Sequence, residues 1–159
     1  MKLIYYLFIF LLISCSSQKN ISGNYSFKTE CIGIEMDGSQ TLKSWGNGRN
    51  RSDAVEQAKK KAVNDVLFQG VLEGRQGCEK RPLVPEVNAR QNYEVYFNQF
   101  FTDNGEYLKY VSMKDERISE KIFRDKKGGE GNVTYGVVVR VLRSQLQLKL
   151  IKDGILKNN

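Results

Sequence analysis

The chain has 159 residues, 40% of them hydrophobic and 27% charged, a composition that suits one globular domain and excludes a disordered or multispan protein. Lys and Arg outnumber Asp and Glu by 25 to 18, for a formal charge of +7. No histidine is present, which removes Ser-His-Asp and Cys-His catalysis, imidazole zinc sites and the usual proton shuttle near neutral pH.

Met1-Lys2 gives a short positive start, and Leu3 to Ile13 is an unbroken apolar run. Eleven residues fall short of the roughly 20 that a spanning helix needs, but they suit the apolar core of an export signal. Leu12-Ile13-Ser14-Cys15 then resembles the bacterial lipobox. That resemblance implies cleavage after residue 14, acylation of Cys15 and attachment to a membrane without a spanning helix; a conventional cleaved signal with a chance Cys is the alternative. Each buried acyl CH₂ contributes roughly 0.8 kcal/mol, so several chains anchor firmly. Residues 15–23 read as the lipidated Cys and a polar tether, and 24–157 as a single domain. Ser16, where an Asp marks inner-membrane retention in such signals, implies the periplasmic side of the outer membrane. Loss of Lys2 lowers the formal charge by one.

Cys31 and Cys78 are then an even pair in an oxidising compartment, and a disulfide is the simplest reading, with two free buried thiols as the alternative. Neither belongs to a Cys-x-x-Cys pair, so no metal site and no cofactor are expected. The stretch 25–36 is rich in strand formers. Its apolar phase shifts at Cys31, from 27, 29 and 31 to 32, 34 and 36, which predicts a bulge. Asp37-Gly38-Ser39 predicts a turn and Gln40 to Trp45 a returning strand. Gly46 to Arg51 breaks the pattern before a helix with Ser52 as N-cap and Asp53 and Glu56 near its start. Ala54, Ala58 and Ala62 recur every four residues, widened by Val55, Val66, Leu67 and Val71, and Gly70 and Gly74 mark the end.

Residues 76–85, with Cys78, Pro82 and Pro85, read as a loop. A second helix is predicted from Glu86 to about Thr102, with Tyr93, Tyr96, Phe97, Phe100 and Phe101 on one side. Leu108 to Arg124 has strand character, and Asp125 to Asn132 reads as a charged hairpin loop. Val133 to Val141 is the clearest strand, with Val133, Tyr135, Val137, Val139 and Val141 on one face. In the last segment Leu146, Leu148 and Leu150 alternate as in a strand. Ser144-x-x-Gln147 resembles a capping box, however, and Leu146, Leu150, Ile151 and Ile155 form a helical stripe, so a helix is predicted. The order β-β-α-α-β-β-α predicts an α+β domain, its sheet mostly antiparallel with helices packed on one face.

Trp45-Gly46-Asn47-Gly48 through Asp53-Ala54, Ala58 and Ala62 is similar to the Lpp-twenty family of bacterial envelope lipoproteins. Tyr135-Gly136-Val137-Val138-Val139-Arg140-Val141 leading into a leucine-bearing helix is similar as well. The aromatic second helix and the Cys78–Pro85 stretch fall outside the resemblance. It implies a small domain related to the amino-terminal domain of a flagellar assembly protein, acting in binding and assembly, and it brings no catalytic residues.

Several groups have candidate chemistry. Gly46, Gly48, Arg49 and Arg51 before a helix start have the composition of an anion or ligand cradle, although the third Gly of a dinucleotide fingerprint and the Lys of a P-loop are missing. A tight strand-to-helix turn explains the glycines equally. Asp115, Glu116 and Glu120 suggest paired carboxylates but lie among Lys114, Arg117 and Lys121, as on a solvated face. The aromatic set has the chemistry to stack sugars, yet its helical spacing suits a core. Basic clusters at Lys59-Lys60-Lys61, Lys80-Arg81 and Arg124 to Lys127 suit anionic headgroups, acidic partners or plain solubility. The expectation is a non-catalytic, lipid-anchored accessory or assembly protein of the envelope, a subunit of a secretion or motility complex in its narrower form. Its partners would be the membrane and envelope proteins, and no nucleic acid. The alternative is an anchored binding protein for a glycan or an anionic envelope ligand.

Overall fold

The computed structural model describes residues 27–113, 123–124 and 133–157. The expected signal, Cys15, the tether, the carboxylates at 115, 116 and 120 and the loop at 125–132 lie outside the described residues. The rest forms an α+β fold. Strand β1 (Glu30–Ile34) turns through residues 35–39 into β2 (Gln40–Gly48). Helix α1 (Arg51–Asn64) follows and widens into a π-turn at Asp65–Gln69. Next come a two-residue strand β3 (Glu73–Gly74), helices α2 (Ala89–Asn92) and α3 (Glu94–Phe100), and a 3₁₀ turn at Glu106–Tyr110. Strands β4 (Val111–Met113), β5 (Phe123–Arg124) and β6 (Val133–Val141) precede the final helix α4 (Arg143–Lys152).

The sheet has the order β3-β1-β2-β6-β4, with β5 also paired to β6. Among the described strands only β1 with β3 is parallel. The bulge sits where the apolar phase shifts, between Cys31 and Gly33. Alternation then sorts the faces. Leu42, Ser44 and Gly46 of β2 lie opposite Val139, Val137 and Tyr135 of β6, all buried on the face that α1 covers.

The alanine stripe explains how close that contact is. Ala54, Ala58 and Ala62 are fully buried against β2 and β6. A Cβ on Gly46 would collide with the Ala54 carbonyl and the Ala58 amide, and one on Gly48 with Asp53 and the Ala54 amide. Both glycines are therefore strand residues that let a helix backbone rest on the sheet. The strand-to-helix turn expected at 46–51 begins only after Gly48. Asn50, not Ser52, caps α1, accepting a hydrogen bond from the Asp53 amide at 2.9 Å.

Three further elements differ from expectation. The second helix is two short ones broken at Tyr93, preceded by Asn88 in the left-handed conformation (φ 62°). The strand expected from Leu108 to Arg124 starts later: a 3₁₀ turn at Glu106–Tyr110 places Tyr107 fully in the core, Val111–Met113 and Phe123–Arg124 are strand, and residues 114–122 lie outside the described residues. Helix α4 is present as expected, but Ser144 lies inside it and no side chain caps its start. Leu146 and Leu150 are buried while Leu148 is 67% exposed, the four-residue spacing of a helix.

Candidate functional site

Cys31 and Cys78 are joined in a disulfide, with Cα atoms 6.3 Å apart. Cys31 is 2% exposed, so the bridge ties the 75–85 loop to β1 at a buried position. That loop also completes the π-turn: the Leu83 and Val84 amides donate to the Val66 and Leu67 carbonyls at 3.0 and 2.8 Å. Gly70 (φ 76°) closes the turn, its amide donating to the Asp65 carbonyl at 2.7 Å.

The aromatic residues divide. Phe97 and Phe100 are buried, and Tyr93, Tyr96 and Phe101 pack against them, in edge-on and stacked contacts that continue to Tyr107 and Tyr110. This is core packing. Beside it, Tyr96 donates to Asp153 at 2.6 Å, and Lys149 pairs with both Asp153 (2.7 Å) and Glu106 (3.2 Å). Burial pushes the Tyr96 hydroxyl well above the usual phenol range, and its bond to Asp153 adds to the rise. Burial also raises Asp153, but the ammonium of Lys149 and the Tyr96 hydroxyl outweigh it and hold that carboxyl low. The hydrogen bond to Asp153 in turn raises Lys149. The cluster clamps α3, the 3₁₀ turn and α4 together.

The lysines of the 59–61 cluster carry partners of their own. Lys59 pairs with Glu56, Lys60 with Asp103 and Lys61 with Asp65, and the Arg143 guanidinium donates to the Arg81 carbonyl. Arg49 pairs with Asp53 at 3.3 Å, and Arg51 is exposed at the first turn of α1. The cleft beside Arg49 is also lined by Asp53, Glu56, Asp103 and Lys61. Gly46, Gly48 and Arg49 thus share one cleft, with Arg51 outside its lining, and each carboxylate of the cleft is paired with a cation, Asp53 with Arg49, Glu56 with Lys59 and Asp103 with Lys60.

A different constellation emerges where β1 ends. Among the described residues β1 pairs with β2 from Gln40 to Lys43, whereas β2 runs on to Gly48. The space beside the second half of β2 is a cavity of about 580 Å³, walled by Phe27, Trp45, Thr29, Lys61, Asp65 and Leu72 among others. Phe27 stacks on Trp45 (centroids 4.6 Å apart, planes 24° apart). Trp45 leans over Gly136 of β6, where a Cβ would strike its ring, and the Lys43 ammonium lies 5.1 Å from the ring centroid.

Asp65 is the unusual member of this cavity. Its side chain is 5% exposed, at the junction of α1 with the π-turn, a distortion often found at functional sites. Oδ2 accepts from the Thr29 hydroxyl at 2.5 Å and from the Lys61 ammonium at 2.9 Å, with Ser44 behind Thr29. Oδ1 is buried with no partner among the described residues. A carboxylate can accept about four hydrogen bonds, and an unused acceptor in a buried site is costly. The sequence carried a signal for this residue: Asp65 continues the stripe of Ala58 and Ala62 at helical spacing, placing a charge on the buried face. Among the described residues there is no group of three or more Cys, Asp or Glu able to hold a metal ion, and no helix long and apolar enough to cross a membrane.

No family model, curated protein or solved structure matches this chain.

Proposed function

We propose that this chain is a lipid-anchored, non-catalytic accessory protein of a bacterial envelope, of the Lpp-twenty type, held through Cys15 on the periplasmic side of the outer membrane. The carrying observation is Leu12-Ile13-Ser14-Cys15 at the end of a charged-then-apolar start. The Cys31–Cys78 bridge supports it, because such bonds persist in oxidising compartments. In its narrower form the protein is a subunit of a secretion or motility complex. Crosslinking in intact cells, gentle detergent extraction and mass spectrometry test this part. Recovery of a defined envelope complex supports it, and recovery of the chain alone at every crosslinker concentration counts against it.

A second reading, an anchored binding protein for an envelope ligand, is favoured by the cavity at Asp65. Within that reading the geometry favours a glycan over an anion. The cavity sets Lys28 and Lys61 against Asp65 and Glu73, and Arg49 at the neighbouring cleft is already paired with Asp53. Neither draws negative charge.

A further inference from the structure

We propose that the cavity between β2 and the π-turn binds a neutral saccharide unit of the envelope, with Asp65 as its buried acceptor and the Phe27–Trp45 pair as its apolar wall; this deepens the ligand-binding reading and rests on it. Three observations converge. The volume of about 580 Å³ lies within the roughly 300–1,000 Å³ of small-molecule sites. The wall combines an aromatic stack and an apolar rim at Leu72, 67% exposed, with groups of both hydrogen-bonding senses. Among the described residues Asp65 accepts two bonds, both at Oδ2, and Lys61 uses one of its three N–H groups on Asp65.

The class of ligand follows from what these groups lack. Asp65 calls for a donor and Lys61 for an acceptor, and vicinal hydroxyls or an acetamido group offer both within a few ångströms. The C–H face of a pyranose ring is apolar and matches the aromatic and leucine surface. The ion pair of Lys28 with Glu73 at the rim (3.1 Å) and that of Lys61 with Asp65 inside leave no net charge to attract phosphate or a polyamine. A neutral ligand therefore loses little on entry and gains a charge-assisted hydrogen bond away from bulk water.

Trp45 is the single tryptophan of the chain, so its fluorescence reports on this wall. The test titrates the full chain in detergent with an N-acetylglucosamine trimer, a glucose trimer and inorganic phosphate. A saturable change in emission with at least one saccharide and none with phosphate is expected. Asp65→Asn should weaken binding at least tenfold. Because that change also disturbs Lys61 and Thr29, the exposed Leu72→Arg is the second variant. It should weaken binding at least fivefold, while Leu148→Arg on α4 leaves it unchanged. No saturable response to either saccharide, a response to phosphate, or unaltered affinity in Leu72→Arg would overturn the proposal. A chain acylated at Cys15 that ignores both saccharides removes this site and leaves the anchor. Saccharide binding by a chain without lipid does the reverse.

Discussion

Replacing both Cys31 and Cys78 by Ser should cost the fold about 4 kcal/mol. The two residues are 47 positions apart, and closing a loop of that size in the unfolded chain removes entropy worth about 4 kcal/mol at 25 °C in the chain-entropy account. The native side adds little to offset this loss, because the backbone already brings the partners together. The Arg75 amide donates to the Cys31 carbonyl at 2.9 Å, and the Leu83 and Val84 amides hold the loop to the π-turn. Those bonds survive the substitution, so the folded variant keeps its shape and the effect falls on the unfolded state. For a chain of this size the loss corresponds to roughly 12 °C in Tm, at about 3 °C per kcal/mol. Guanidinium unfolding of the parent, the double variant and the parent under reductant measures it directly, with the last two expected to coincide. A double variant within about 1 kcal/mol of the parent would instead show that the unfolded chain already holds these segments together.

Two further outcomes concern packing and pH. Gly46→Val should cost about 3 kcal/mol or more in chemical unfolding, since overpacking costs typically 1–3 kcal/mol and the obstacles here are backbone atoms of α1; Gly33→Ala, with nothing near its added Cβ, should stay within about 0.5 kcal/mol. Lys149→Met should destabilise the chain by a constant amount between pH 6 and 9. Asp153 titrates low in the folded state, so its contribution is present above its unfolded pKa near 4 and is lost as pH falls through the lower folded value. Lys149 titrates high, so its contribution is complete below its unfolded pKa near 10.4 and fades as pH rises through the folded value. Unfolding curves for both proteins should therefore converge at the acid end; a difference that persists at pH 2 would show that Lys149 acts only through its packing.

Local chemistry written in consecutive residues was legible in the sequence. The alternation of β6, the turn at 37–39, the bulge at Cys31 and the four-residue spacing of Leu146 and Leu150 all follow from patterns that neighbours impose on one another. What was hidden depends on distant partners. Gly46 and Gly48 read as a turn because glycine breaks strands, but here their missing side chains admit a helix from across the sheet. The helix after Ala62 widens because a loop some 17 residues further on takes the Val66 and Leu67 carbonyls. No local pattern marks the place of Tyr107, which is buried beside Glu56, the carboxylate accepting a hydrogen bond from its hydroxyl.

The site followed the same division. The aromatic residues at helical spacing were recognisable as core, and Phe97 and Phe100 are buried accordingly. The cavity required Thr29, Trp45 and Asp65 to meet from three separate segments, which no local motif announces. Asp65 alone left a trace, as a carboxylate in register with the alanine stripe.

Intact-mass and tandem mass spectrometry of the amino-terminal peptide, from protein recovered from bacterial membranes, tests the anchored state most directly. The expected mature chain begins at Cys15 and carries a thioether-linked diacylglyceryl group and an amide-linked acyl chain, with no such species from Cys15→Ala. A mature chain that begins elsewhere, or an unmodified Cys15, would contradict it.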